Sequence, residues 1–303
     1  MLSGQFETTP EPDGTNSPER EIERIIQLTG KTPAIRVFDL RPASPVQYPG
    51  GKVPSLAVTR RALDWGRSNG IVAFQWHWLT TNRSGGWDVS VKDFEHDGVK
   101  WQGFDLDRAL VRGTPEREEL DAGIDAVAVE LTRLRDAGIP VLWRPLHEAG
   151  GGWYWWSARG AESYRLLWQY QFNRLTQKHR LSNLIWVFNP ANTNCLTDWY
   201  PGREYVDVIA FSGFAATGDH PTFKAEYEVL RQFCGGNKVI ALSECGVTPD
   251  PEGIVTDHAD WAYFCQAPGG FVMEDKINPP DAIKRLFQHP RILNRDAVAI
   301  PGF

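Results

Sequence analysis

The chain has 303 residues, a net charge of −6, a sequence pI near 5.7 and 13 tryptophans. That acidic balance, with no basic patch interleaved with aromatics, speaks against a nucleic-acid partner or an anionic membrane surface, and no apolar run reaches a membrane-spanning length. The length suits one α/β barrel domain over residues 1–303, and no repeat, linker or low-complexity tract divides it.

Short apolar runs alternate with amphipathic helices along the chain, the pattern of a parallel sheet. Leu2 to Phe6 reads as a first strand, and the fold is expected to begin there. No leader is legible before it, so either a leader has been removed from a secreted or periplasmic protein or the chain is not exported by that route. Ser17 and Pro18 predict the start of a helix through Ile22, Ile25 and Ile26, with Ser17 as N-cap and Gly30 near its end. Ala34 to Leu40 is the second strand, followed by a helix over Leu56 to Arg67 that Gly70 stops. Ile71 to Trp78 is the third, ending with His77 between two tryptophans. The polar, Gly-bearing stretch from Leu79 to Arg112 is too long for a plain connection, and such excursions usually face a ligand. Leu120, Ile124, Val127, Leu131 and Leu134 then form a 3–4 stripe, a helix closed near Gly138.

Ile139 to His147 is the fourth strand, and Tyr164, Trp168, Phe172 and Leu175 mark the next helix. Strands over Leu184 to Pro190 and Val206 to Gly213 follow, then a helix over Phe223 to Phe233 and a seventh strand over Lys238 to Gly246. Trp261 to Cys265 is the eighth strand and Ala282 to Phe287 a closing helix. Eight strands, most with a helix after them, predict a (β/α)8 TIM barrel in a single domain. The four cysteines (Cys195, Cys234, Cys245, Cys265) show no C-x-x-C spacing, which argues against a zinc or redox motif. Cys245 and Cys265, on neighbouring strands, are expected to be buried free thiols.

In such a barrel the chemistry collects at the C-terminal ends of the strands. Those ends hold Asp39, His77, Glu148, Asn189, Ser212 and Glu244, of which two are glutamates. Val141-Leu-Trp-Arg-Pro-Leu-His-Glu148 delivers His147 and Glu148 to the end of the fourth strand, and Gly150-Gly-Gly-Trp-Tyr-Trp-Trp156 follows as a glycine-hinged aromatic loop. Clustered aromatics mostly pack cores. Here they follow neither helical nor strand periodicity, so Trp76, Trp78, Trp87, Trp101, Trp153, Trp155 and Trp156 are read as surfaces of a carbohydrate cleft. Glycoside hydrolysis needs two carboxyl groups flanking the scissile bond, one protonated and one ionised, and the charge of one raises the pKa of the other. Glu148 and Glu244 can supply them, at about 5–5.5 Å for a retaining mechanism and nearer ~9 Å for an inverting one. Arg144 lies four residues before Glu148, an even offset on the same run, and is read as a structural charge that could be buried with a carboxylate.

The run Trp143-Arg-Pro-Leu-His-Glu-Ala-Gly-Gly-Gly-Trp-Tyr-Trp-Trp156 resembles the acid/base signature of glycoside hydrolase family 26, the β-mannanase family of the retaining (β/α)8 clan. The resemblance extends through Leu184 to Pro190, Trp199-Tyr-Pro-Gly202, Leu242-Ser-Glu-Cys-Gly246, Met1-Leu-Ser-Gly-Gln5 and Trp76-His-Trp78, and so covers most of the chain. It implies Glu148 as acid/base and Glu244 as nucleophile, with His147 orienting groups near the reacting sugar. It further implies that Trp153 lines the cleft, that His77 contacts sugar on the glycone side and that Arg144 supports the carboxylates. His77 packed among aromatics as a core histidine is the competing reading. Two departures stand out. The sixth strand of the family ends in Asp-x-Tyr, whose hydroxyl binds the nucleophile, and Ser212-Gly-Phe214 stands there in this chain. The eighth strand of the family presents a tryptophan platform, and Tyr263-Phe-Cys-Gln-Ala-Pro268 replaces it. Phe214 and Tyr263 to Pro268 would then form the opposite wall of the cleft.

The sequence therefore predicts a monomeric retaining endo-β-glycosidase acting on a β-linked polysaccharide or oligosaccharide, β-1,4-mannan first, without cofactor or metal. The alternatives are β-1,3-xylan or mixed-linkage β-glucan as substrate, and a glycan-binding barrel that has lost its chemistry. A metal-dependent hydrolase would need an H-x-H pair or ligand cluster that the sequence lacks.

Overall fold

A computed structural model describes residues 1–9, 17–45, 55–81, 87–88, 94–96, 99–101 and 104–299. Eight parallel strands close into a barrel, each flanked by its sequence neighbours and the first beside the eighth. They are β1 (Gly4–Phe6), β2 (Ile35–Asp39), β3 (Ile71–Gln75), β4 (Val141–Arg144), β5 (Leu184–Phe188), β6 (Val208–Gly213), β7 (Val239–Cys245) and β8 (Phe264–Gln266). This is the expected (β/α)8 fold. Its strands are apolar because a parallel sheet covered by helices is buried on both faces. They are shorter than the apolar runs predict, for local reasons. Pro145, directly after β4, has no N–H for a ladder. The N–H of His77, beyond β3, goes instead to Asp39 Oδ1 at 3.1 Å.

Contacts group the chain into two compact units. The first comprises residues 1–38, 62–73 and 207–303. In it β1 pairs with β2 (Gln5 opposite Arg36) and with β8 (Gln5 opposite Gln266), and β7 lies between β6 and β8. The helix α1 (Arg20–Thr29) buries Ile22 and Ile25, and Gln288 of the closing helix donates to the carbonyl of Thr29 at 2.9 Å. Gly30 ends α1 in the left-handed conformation at φ 70°. The expected N-cap is corrected: the helix starts at Arg20, and Ser17 Oγ accepts from the Glu19 N–H at 3.2 Å, closing a turn ahead of the helix. Cys245 and Cys265 are buried free thiols, as expected, and Cys195 and Cys234 are free as well.

The second unit comprises residues 39–61 and 74–206. Here β4 pairs with β5, Trp143 opposite Trp186. The 22-residue helix Pro115–Asp136 is capped by Thr114 Oγ1, which accepts from Arg117 N, and has Pro115 in its first turn. Leu120, Ile124, Val127, Leu131 and Leu134 are its buried stripe, each contributing about 1.5–3 kcal/mol by leaving water. Gly123 on the same helix is required: a Cβ there would lie 2.6 Å from the indole nitrogen of Trp78. The predicted Leu79–Arg112 excursion holds two short antiparallel pairs, Thr80–Thr81 with Trp87–Asp88 and Phe94–His96 with Val99–Trp101, and a short helix Leu106–Ala109. Residues 82–86, 89–93, 97–98 and 102–103 of that excursion lie outside the described residues, as do the side chains of Trp87 and Trp101.

Four of the tryptophans read as cleft surfaces are core. Trp76, Trp78, Trp155 and Trp156 are essentially inaccessible. Trp76 stacks on Trp78 at 4.1 Å, and Trp78 meets Trp155 edge-on at 5.0 Å. Three of their N–H groups find buried acceptors: Trp76 donates to Ser44 Oγ at 3.2 Å, Trp155 to the Trp78 carbonyl at 2.8 Å and Trp156 to the His147 carbonyl at 3.0 Å. An indole can sit in a core when its one donor is satisfied, so absence of periodicity did not mean exposure.

Candidate active site

In the second unit, the end of β2 supplies Asp39, β3 supplies Gln75 and the following residue but one is His77. The carboxylate of Asp39 receives the His77 backbone N–H on one oxygen, and its other oxygen lies 2.5 Å from Nδ1 of the same residue. Burial on its own would push the Asp39 carboxyl up, but attraction and hydrogen bonding to His77 outweigh it, with help from Arg41, and hold it down at about 2. A carboxylate with a lowered native pKa adds stability that is complete above its unfolded value of about 3.9 and is lost as pH falls toward the native value. We expect this pair to contribute about 2 kcal/mol near neutrality. Asp39→Asn should therefore flatten the loss of stability between about pH 4 and pH 2, as followed by thermal unfolding across pH. An unchanged acid limb would show that the pair contributes nothing.

From β4, Arg144 is buried and donates to Asn189 Oδ1 at 3.0 Å and to Gln75 Oε1 at 2.5 Å. Asn189 Oδ1 also accepts the backbone N–H of Glu148 at 3.2 Å. Arg144 thus reaches Glu148 through an amide that fixes the backbone of Glu148. His147 is buried, and its Nδ1 has no hydrogen-bond partner among the described residues. Burial, with electrostatic effects of His77 and Arg144 next, drives its pKa well below the usual histidine range, so the ring is neutral. It meets His77 edge-on at 4.7 Å.

Glu148 itself has φ 57°, a left-handed backbone that costs a non-glycine residue free energy. The turn that follows is held by the Gly151 N–H on the Glu148 carbonyl at 3.1 Å and by Ala149 N on the Asn189 carbonyl at 3.0 Å. Gly150, at φ 83°, has Cys195 Sγ 2.6 Å from where a Cβ would stand, so a side chain there would force the turn apart. The turn brings Trp153 back over Glu148, and its indole N–H donates to Glu148 Oε2 at 2.7 Å. Trp153 is 48% exposed, the one tryptophan of the loop that offers its face to solvent.

In the first unit, Glu244 is aimed by a β-bulge. The β6–β7 ladder pairs Phe211 with Leu242 and then Ser212 with Glu244, leaving Ser243 as the extra residue. Such an insertion turns the side chains beyond it to the other face of the strand. Two buried amides brace the backbone that follows. Gln266 donates to the carbonyls of Gly246 at 2.6 Å and Cys245 at 3.2 Å. Asn278 donates to the carbonyls of Gly246 (2.9 Å) and Phe271 (2.7 Å) and accepts from Thr248 N at 2.7 Å.

Phe214 is 51% exposed and packs against Phe271 at 5.7 Å, on the helix Gly270–Met273. Gly246 makes room for both rings: a Cβ there would lie 2.7 Å from Phe214 and 2.8 Å from Phe271. The expected wall at Tyr263 to Pro268 is corrected: Tyr263 to Ala267 are buried, Phe264–Gln266 as β8, and Pro268 alone of that run is partly exposed. The aromatic beside Phe214 is Phe271, which the sequence reading passed over. Its signal, an aromatic directly after the Gly269-Gly270 pair, is weak.

A parallel eight-stranded barrel carrying its polar groups beyond the C-terminal ends of its strands defines the (β/α)8 class. The family model described as Glycosyl hydrolase family 26 matches residues 1–297, and the chain belongs to that family. It is 34% identical over 282 residues to a mannan endo-1,4-beta-mannosidase of Thermothelomyces thermophilus, covering 90% of this chain and 55% of that protein. Mannan endo-1,4-beta-mannosidase B of Piromyces sp is 31% identical over 289 residues, covering 91% of this chain and 46% of that one. The chain thus spans about half the length of these relatives. Among solved structures, it is similar to the beta-mannanase from a symbiotic protist of the termite Reticulitermes speratus, complexed with gluco-manno-oligosaccharide. That match has a TM-score of 0.87 and 29% identity, and it covers 99% of this chain and 90% of that chain. The Podospora anserina GH26-CBM35 beta-(1,4)-mannanase matches with a TM-score of 0.83 and 32% identity over 98% of this chain and 63% of that one.

Proposed function

We propose that the chain is a retaining endo-β-1,4-mannan hydrolase in which residues 1–303 act as one catalytic barrel. The observation that carries the reading is the membership of family 26 together with a glutamate beyond β4 and another near the end of β7. The names of the relatives support mannan as the substrate. In the first step Glu244 attacks the anomeric carbon, the bond to the leaving oxygen breaks, and Glu148 gives that oxygen its proton. In the second, Glu148 takes a proton from water, the water oxygen attacks the same carbon, and Glu244 leaves as a carboxylate. Trp153 offers its exposed face to a sugar beside the acid/base, and Phe214 an apolar ring on the nucleophile's side of the chain. His77, Arg144 and His147 orient these groups. The protein would work as a monomer, and a polymeric substrate supports a secreted or periplasmic form, made with a leader that has been removed.

The second reading is β-1,3-xylan or mixed-linkage β-glucan, favoured by the altered eighth strand, where Tyr263 to Pro268 stand in place of the tryptophan platform that the family resemblance implies. A product assay on mannan, β-1,3-xylan and mixed-linkage glucan, with the anomer read by NMR at early times, decides between them. Mannan should be cleaved fastest and give the β-anomer first. An initial α-anomer would sink the double displacement, and binding without cleavage of any polymer would leave a glycan-binding barrel.

A further inference from the structure

Tyr154 has no place in the mechanism above, yet it sits between Trp153 and the histidines. Its hydroxyl is 3.2 Å from Nε2 of His77, whose Nδ1 is 2.5 Å from the Asp39 carboxylate. An ionised carboxylate only accepts, so Nδ1 of His77 directs a proton at Asp39, and Nε2 is the ring nitrogen that pairs with the Tyr154 hydroxyl. A phenolic hydroxyl both donates and accepts, so Tyr154 keeps hydrogen-bonding capacity for a further partner beyond His77. The ring is set in place. It stacks on the buried Trp156 at 4.4 Å and 21°, and meets His147 at 4.9 Å and Trp153 at 6.4 Å. Unlike Trp155 and Trp156, which follow it, Tyr154 is only half-buried.

We propose that Tyr154 is a specificity-determining residue whose hydroxyl makes a hydrogen bond with one hydroxyl of the bound sugar. His77, itself held by Asp39, is then the positioning residue that orients the tyrosine hydroxyl. A hydroxyl fixed in this way distinguishes a sugar with a hydroxyl at that position from one without it, or with it turned to the other face. The inference rests on the glycoside reading, and the test separates the two.

Dissociation constants are to be measured by calorimetry for β-1,4-manno-oligosaccharides and their singly deoxygenated analogues. The Glu244→Ala background is used, so that turnover is not required. Tyr154→Phe should weaken binding of the parent oligosaccharide about tenfold, the size of one hydrogen bond, with the melting temperature unchanged. For the one analogue lacking the partner hydroxyl, Tyr154→Phe should cost nothing further. In a His77→Ala background its cost should shrink to less than about threefold, because the hydroxyl is no longer oriented. An unchanged dissociation constant, or an equal loss for every analogue, overturns the proposal. Failure of the protein with Glu244 intact to cleave mannan would overturn the activity while leaving the calorimetric result to decide on Tyr154. Absence of any oligosaccharide binding would overturn both.

Discussion

Glu244→Ala is expected to lower mannan hydrolysis by at least about 10⁴-fold while leaving oligosaccharide binding within a few-fold of its original strength, because it removes a bond made only on the reaction path. Alanine leaves space where the carboxylate stood, and a small anion can enter it. Azide should restore turnover of an activated aryl mannoside, attacking the anomeric carbon once and giving the α-mannosyl azide. Water cannot substitute as well, being a weaker nucleophile with no base placed for it on that side. The backbone that holds Glu244 does not depend on its carboxylate: the Ser243 bulge is set by strand register, and Gln266 and Asn278 brace Cys245, Gly246 and Thr248. The variant should therefore fold normally, with a melting temperature near that of the parent. Retention of more than about a hundredth of the activity would show that Glu244 is not the nucleophile.

The barrel was legible because most strands are apolar runs largely buried on both faces, and the helix Pro115–Asp136 because its stripe repeats at three and four residues. What sequence pattern does not carry is how a strand ends. The register shift at Ser243 is a property of two paired strands, and Ser-Glu-Cys reads the same with or without it. The amides of Gln266 and Asn278 were invisible for a similar reason, since their partners are backbone carbonyls with no sequence identity. The tryptophans erred in the opposite direction. An irregular loop suggested exposure, but Trp155 and Trp156 reach back to the carbonyls of Trp78 and His147, and only Trp153 turns outward. Asp250-Pro-Glu at the start of the helix Pro251–Asp257 was readable: Asp250 caps the Gly253 N–H at 2.8 Å, with proline in the first turn, and the reading passed over it. Five π-helical residues at Arg174–Lys178 had no such signal. They lie beside a cluster in which Asp125 binds Arg174, Lys178 and His179, and that arrangement needs the tertiary structure to exist.

Glu148→Ala should separate the two chemical steps. On mannan, whose leaving group is a sugar alkoxide, loss of the proton donor should lower kcat by about 10³-fold, within the range for general acid catalysis. A dinitrophenyl mannoside needs no proton to leave, so its first step should survive. The glycosyl-enzyme would then accumulate for want of a base, visible as a burst of dinitrophenol and a low apparent KM. Azide needs no base and should release the intermediate as the β-mannosyl azide, the opposite anomer from that expected with Glu244→Ala. The same anomer from both variants would refute the assignment of roles. The backbone supplies an independent check. At φ 57° Glu148 occupies a conformation that alanine tolerates poorly and glycine readily. Glu148→Gly should thus be more stable than Glu148→Ala by about 1 kcal/mol, with the same loss of activity. Equal stability of the two would mean that the turn relaxes once the carboxylate is gone. A gain with glycine would mean that Asn189, Gly151 and Ala149 hold the turn whatever side chain it carries, the strain being the consequence of placing an acid under Trp153.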